Sequence, residues 1–128
     1  MTLLLDTHAL LWAMGAPEKL SAKAARAMAS SENEVLVSCL SLFEIAIKVQ
    51  KGKLGIPMSR DFMDGRMKDI GVSRTLDLTP SHIYVFLSVP RIHKDPFDRL
   101  LAAQCIVENC CLVSRDARLR RYPIEVLW

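Results

Sequence analysis

Five short apolar segments recur along this chain, and stretches with helical periodicity lie between them. Short apolar strands that alternate with helices are typical of a parallel sheet. The sequence therefore predicts an α/β fold with three layers, in which helices cover both faces of a mostly parallel central sheet. The predicted strands are residues 3–5, 34–38, 72–78, 111–114 and 124–127.

Local signals set the expected ends of the helices. A short polar residue such as Ser21 is favoured as an N-cap, glycine often follows a helix, and proline fits the first helical position. The first predicted helix passes through residues 10–12. The others are predicted at residues 21–29, 42–51, 57–71, 80–89, 95–109 and 116–121.

The length of 128 residues suits one domain, residues 1–128, with one substantial core. The N-terminus lacks the basic region of a signal peptide, and no apolar run is long enough to span a membrane, so we expect a cytoplasmic protein. The four cysteines lack zinc-ligand spacing, and we interpret them as small buried apolar residues.

Four acidic residues fall where predicted strands end or where the following helices begin. Right-handed crossovers bring the carboxyl ends of parallel strands to one edge of the sheet, which is where open α/β sheets bind ligands. We therefore expect these acids to gather there. They are Asp6, Glu44, Asp98 and Asp116.

Each acid also has a purely structural interpretation, because carboxylates stabilise helix starts by accepting backbone N–H groups. On this interpretation Asp6, Asp95 and Asp116 are N-caps. Glu44 forms a capping box with Ser41, and Asp98 lies in the first turn of its helix. Serine, threonine and asparagine cap as well as acids do, yet carboxylates fill the positions here. Converging carboxylates repel, and Mg²⁺ or Mn²⁺ would relieve that repulsion.

The net charge of +3 is modest, but its distribution indicates a polyanionic partner, with a solvated charged face as the alternative. Basic residues cluster at 91–99 and 115–121. The candidate contacts to a nucleic-acid backbone are Arg99, Arg115 and Arg118. Among the scattered histidines, His8 would at most support the acids indirectly, and His93 is a candidate substrate contact.

Four segments carry a more specific signal: LLLDTHALLW, SCLSLFEIAIKVQKGKL, HKDPFDRLLAAQ and LVSRDARLRRYPIEVLW. In this order they resemble the signature blocks of PIN-domain proteins, above all the VapC-type toxins of type II toxin–antitoxin systems. The resemblance covers the whole chain. Its four acids fall on Asp6, Glu44, Asp98 and Asp116, with Thr7 and Ser114 at nearby hydroxyl positions and Asp95 as an additional acid.

The resemblance implies an endoribonuclease that depends on Mg²⁺ or Mn²⁺, a cognate antitoxin and a homodimer. A haloacid-dehalogenase-like phosphatase would need a second aspartate where His8 stands, and a phospho-receiver domain would need an acid pair that is absent. A non-catalytic RNA-binding or interaction module on the same fold remains an alternative.

The segment from Ile83 to Leu87 is apolar nearly all round its predicted helix. Such a helix must be buried on most sides. A homodimer or antitoxin interface would cover it, with the first two helices as the other wall. The alternative is a helix central in the core.

Overall fold

The computed structural model describes all 128 residues and contains one five-stranded sheet, in which every pair of neighbouring strands is parallel. The strands are β1 (Thr2–Leu5), β2 (Glu34–Ser38), β3 (Val72–Leu76), β4 (Cys111–Val113) and β5 (Glu125–Leu127). The helices are α1 (Thr7–Gly15), α2 (Ala22–Ala29), α3 (Cys39–Gln50), α4 (Arg60–Asp69), α5 (Pro80–Phe86) and α6 (Pro96–Glu108), with 3₁₀ turns at Pro17–Lys19 and Ala117–Arg121.

The strand order is β3-β2-β1-β4-β5, so β1 is central and its carboxyl end lies between those of β2 and β4. In this register Leu5 lies opposite Val37 on one side and Val113 on the other. The next residue, Asp6, therefore stands at the middle of the carboxyl edge of the sheet.

Two separate apolar clusters lie on the two faces of the sheet. Leu3 and Leu5 belong to one cluster with residues of α1 to α4, whereas Leu4 belongs to the other with residues of α6. This alternation follows from the strand, in which successive side chains point to opposite faces. All three leucines are fully buried, so the predicted sheet with helices on both faces is confirmed.

Two helix starts were predicted wrongly. Helix α3 begins at Cys39 rather than Leu42, because the Ser38 hydroxyl caps it by accepting a hydrogen bond from the Leu40 N–H. Strand β2 thus runs into α3 without a loop, and the predicted capping box at Ser41 is absent. Helix α4 begins at Arg60 rather than residue 57, because Ser59 is its N-cap.

Helix α5 ends at Phe86 rather than Val89. The Ser88 N–H and hydroxyl both donate to the Val85 carbonyl, and the N–H of Val89 bonds three residues back to Phe86. These tight turns replace helical bonds just before Pro90, which cannot continue a helix. No helix of the protein is both long and apolar enough to cross a membrane.

Candidate active site

Asp6 occupies the centre of the carboxyl edge and is tied to both neighbouring elements. Its N–H donates to the Val113 carbonyl at 3.1 Å, and its carboxylate caps α1 by accepting from the Ala9 N–H at 2.8 Å. Burial raises the pKa of this carboxyl, as does the charge of Glu44, while hydrogen bonding from Ser114 and Ala9 opposes the rise. The cap therefore uses one oxygen of the Asp6 carboxylate. Burial makes the ionised form of this carboxyl unfavourable unless a cation is near it.

Asp98 lies in the first turn of α6 and shares the electrostatic environment of the other acids. Burial is the main reason that its pKa rises to about 6, and the charges of Asp95, Asp6 and Glu44 add to the rise. His93 opposes it. The structure thus brings Asp6, Glu44 and Asp98 within electrostatic reach of one another, from three different helices, α1, α3 and α6.

Glu44 lies in the second turn of α3, half-buried, and its carboxylate is 4.0 Å from the Lys48 ammonium. The two residues are one helical turn apart and their charged groups are partly solvated, so this ion pair restrains the Glu44 side chain only weakly. The Glu44 side chain is therefore free to reorient toward Asp6 and Asp98.

Asp116 belongs to the same edge but is neutralised by its own neighbours. Its carboxylate accepts from the Arg118 guanidinium at 2.9 and 3.1 Å and from His93 Nε2 at 2.8 Å. These contacts hold the pKa of Asp116 well below its usual range, with Arg118 the largest cause. Asp116 and Asp6 line one open pocket of about 280 Å³.

His93, a candidate substrate contact in the sequence analysis, is buried and contacts Asp116, which the sequence did not indicate. Its Nδ1 lies 2.8 Å from the Tyr122 hydroxyl, which also accepts the His93 backbone N–H at 3.0 Å. A carboxylate accepts only, so Nε2 must carry the proton and donate to Asp116. In the neutral ring Tyr122 then donates to Nδ1, and this chain fixes the direction of the Asp116 carboxylate.

The hydroxyl positions serve the site indirectly. Thr7 is buried and donates to the Ser41 hydroxyl at 3.1 Å, which joins the start of α1 to α3. The Ser114 hydroxyl accepts the Asp116 N–H at 3.0 Å and also lowers the pKa of Asp6. Ser114 therefore links two of the acids.

The remaining candidates have separate positions. Asp95 is exposed and caps α6 by accepting from the Phe97 N–H. The Arg99 guanidinium lies 4.3 Å from the centre of the Phe86 ring, with its Nε buried and unpaired. Arg115 and Arg118 are both exposed: Arg115 lines the pocket with Asp116, and Arg118 contacts the Asp116 carboxylate.

The donor set suits Mg²⁺ or Mn²⁺, although no three acidic, histidine or cysteine side chains converge closely enough to ligate an ion unaided. Mg²⁺ usually keeps several waters and takes only one or two carboxylates directly. Asp6, Glu44 and Asp98 supply oxygen donors whose mutual repulsion a cation would relieve. The residues therefore fit a hydrated divalent ion.

Comparison with known proteins agrees with this architecture. The PIN domain family matches residues 3–125. Ribonuclease VapC22 of Mycobacterium tuberculosis is 32% identical over 130 residues, which cover 98% of this chain and 96% of that protein.

Two solved structures share the fold. One is VapBC2 from Rickettsia felis bound to a DNA fragment from its promoter, with a TM-score of 0.66, 16% identity and coverage of 98% of this chain and 97% of the other. The second is FitAcB from Neisseria gonorrhoeae, with a TM-score of 0.60, 14% identity and coverage of 97% and 95%. This chain belongs to the PIN-domain family and is of the VapC type.

Proposed function

We propose that this chain is an endoribonuclease that depends on Mg²⁺ or Mn²⁺ and acts as the toxin of a type II toxin–antitoxin system. The observation that carries the proposal is the group of Asp6, Glu44 and Asp98 at the carboxyl edge. Burial raises the pKa of Asp6 and of Asp98, and the charge of Glu44 adds to both rises. The 32% identical relative is named a ribonuclease. A cytoplasmic location is part of the same proposal, since cellular RNA is the substrate.

Asp6 and Asp98 would hold the ion, and Glu44 lies within electrostatic reach of both. Asp116 lines the same pocket as Asp6. Such an ion activates water and clamps phosphate oxygens. His93 and Tyr122 hold the Asp116 carboxylate in place. The exposed Arg118 side chain is available to exchange Asp116 for a phosphate of the RNA backbone.

Metal-dependent RNA cleavage by the purified protein is the direct test. We expect single-stranded RNA to be cut in millimolar Mn²⁺ or Mg²⁺ and to stay intact with excess chelator, since the acids alone repel the phosphate. Gel analysis of a labelled RNA provides the measurement. RNA that binds the protein but is never cut with either metal would favour the non-catalytic alternative.

An antitoxin and a second copy of the chain are the proposed partners. VapBC2 and FitAcB, two solved structures of the same fold, support the antitoxin as a partner. In this chain α5 and its C-cap residue present an apolar side to solvent: Tyr84 is 72% and Leu87 is 81% exposed. A helix in the core would not show such exposure, so we propose that α5 contributes to the homodimer.

Tyr84→Glu is expected to weaken the dimer, because it places a charge in an apolar contact while removing little from the monomer core. Sedimentation velocity of the variant and the wild type would measure the change. Val85→Glu is the matched control, since Val85 packs against the core and its replacement should unfold the protein. A wild type that stays monomeric at high concentration without a partner would contradict the proposal.

A further inference from the structure

A row of aromatic rings borders the pocket that contains Asp6 and Asp116. His8 and Trp12 lie one helical turn apart on α1, with ring centres 5.7 Å apart, and Trp12 lies 5.7 Å from Trp128. The rings meet at 40° and 56°, so they form a tilted ladder rather than a stack. His8 is exposed, whereas both tryptophans are half-buried.

The ladder is adjacent to a cation at the same pocket. The Arg115 guanidinium carbon lies 6.0 Å from the centre of the Trp12 ring, and Arg115 directly precedes Asp116. The cavity of about 280 Å³ is lined by His8, Trp12 and Arg115 together with the two acids. An aromatic surface, an exposed cation and the acids Asp6 and Asp116 therefore share one open cavity.

This combination matches the chemistry of an unpaired nucleotide. Single-stranded RNA is recognised by stacking of bases on aromatic side chains or guanidinium planes, while basic residues contact its phosphates. The exposed Arg115 can shift to cover a base that lies on Trp12.

We infer that the Trp12 and Arg115 pocket is a base-binding subsite, in which an RNA base next to the scissile phosphate stacks on Trp12. The inference rests on the proposed function in taking single-stranded RNA as the ligand. It also gives Arg115 a role distinct from that of Arg118, since Arg115 covers the base and Arg118 contacts the Asp116 carboxylate.

The test uses tryptophan fluorescence, because the chain has only two tryptophans. Trp128→Phe leaves Trp12 as the sole reporter. A single-stranded RNA hexamer, added with chelator at low ionic strength, should quench this fluorescence. Six further hexamers, each abasic at one position, should show weaker quenching at one position only.

Trp12→Leu should weaken binding of the intact hexamer about tenfold, whereas Trp12→Phe should restore most of the affinity because it keeps a stacking surface. Fluorescence anisotropy of a labelled hexamer provides the affinity. Phe43→Leu is the matched control: Phe43 is exposed and pairs with Phe97 beside Glu44, outside the Trp12 ladder. The melting temperature of each variant shows whether the fold is retained.

Equal affinity of the wild type and Trp12→Leu would overturn the inference. So would equal quenching by every abasic hexamer, an observation that needs no change at Trp12. Either result leaves metal-dependent cleavage by the wild type untouched, so the subsite and the proposed activity fail separately. A loss in Phe43→Leu with none in Trp12→Leu would also overturn the inference, by placing the base at the other side of the acids.

Discussion

Asp98→Asn and Asp6→Asn are each expected to lower metal-dependent RNA cleavage at least about a thousandfold, with the fold intact. Removing a carboxylate that holds the ion forfeits several kcal/mol of transition-state stabilisation, and each 1.36 kcal/mol is a factor of ten. Initial cleavage rates at saturating Mn²⁺, with circular dichroism of each variant, provide the measurement. Asparagine keeps the size of the side chain and can still cap α1 at position 6.

Asp95→Asn is the matched control for Asp98→Asn. Asp95 lies three residues away on the same helix start, but it is exposed and its carboxylate caps the helix. Since asparagine caps about as well as aspartate, we expect stability and activity near those of the wild type. A folded Asp98→Asn variant that cleaves RNA at the wild-type rate would remove Asp98 from the site.

Millimolar Mn²⁺ is expected to raise the melting temperature of the wild type by roughly 10 °C when the ion is present at about 100 times its dissociation constant. Binding to the folded state alone then adds about 2.7 kcal/mol to the free energy of unfolding, which corresponds to several degrees per kcal/mol in a chain of this size. Thermal denaturation with and without the ion measures it. Asp6→Asn should show a much smaller rise, and equal rises would indicate a nonspecific salt effect.

The same carboxyl groups predict the pH dependence without metal. The pKa of Asp98 is raised from 3.8 to about 6, so the folded state binds more protons than the unfolded state between these values. The free energy of unfolding should therefore increase as the pH falls through 6 toward 4. The contribution is about 1 kcal/mol after allowance for solvent screening.

The stabilisation by Mn²⁺ should decrease over the same interval, because protons compete with the ion for Asp98. Asp116 changes the free energy of unfolding with pH in the opposite sense. Because its pKa is lowered, it stabilises the folded state at neutral pH, and this stabilisation is lost only as the pH falls below about 3.8. Denaturant unfolding of the metal-free protein at pH 5 and pH 7.5 separates the two. Higher stability at pH 7.5 would contradict the raised pKa of the buried Asp98 carboxyl.

Sequence reasoning predicted the parts of this fold that depend on local patterns. The apolar run at Leu3–Leu5 indicated a buried first strand, and the acid directly behind it was expected at the carboxyl edge of the sheet, where Asp6 lies. The two interpretations of Asp6, a helix cap and a site acid, are compatible, because capping uses one oxygen of a carboxylate whose pKa the charge of Glu44 still raises.

The contacts that escaped prediction join residues far apart in the chain or depend on a missing loop. His93 and Asp116 are 23 positions apart, and no periodicity indicates that their side chains meet. The direct passage of β2 into α3 was missed because Ser38 and Ser41 are both good caps. What distinguishes them is a contact distant in the chain, in which the Ser38 hydroxyl donates to the Gln104 amide oxygen at 2.6 Å.

The absence of a loop between β2 and α3 limits how this site can change over evolution. One residue inserted at the Ser38 junction would turn α3 by about 100° and carry Glu44 away from the other acids. A similar insertion beside Asp6 would displace α1 with its His8 and Trp12 rings. Homologues can therefore vary these junctions only by substitution, whereas differences in length should accumulate in the segment 51–59, behind the far end of α3.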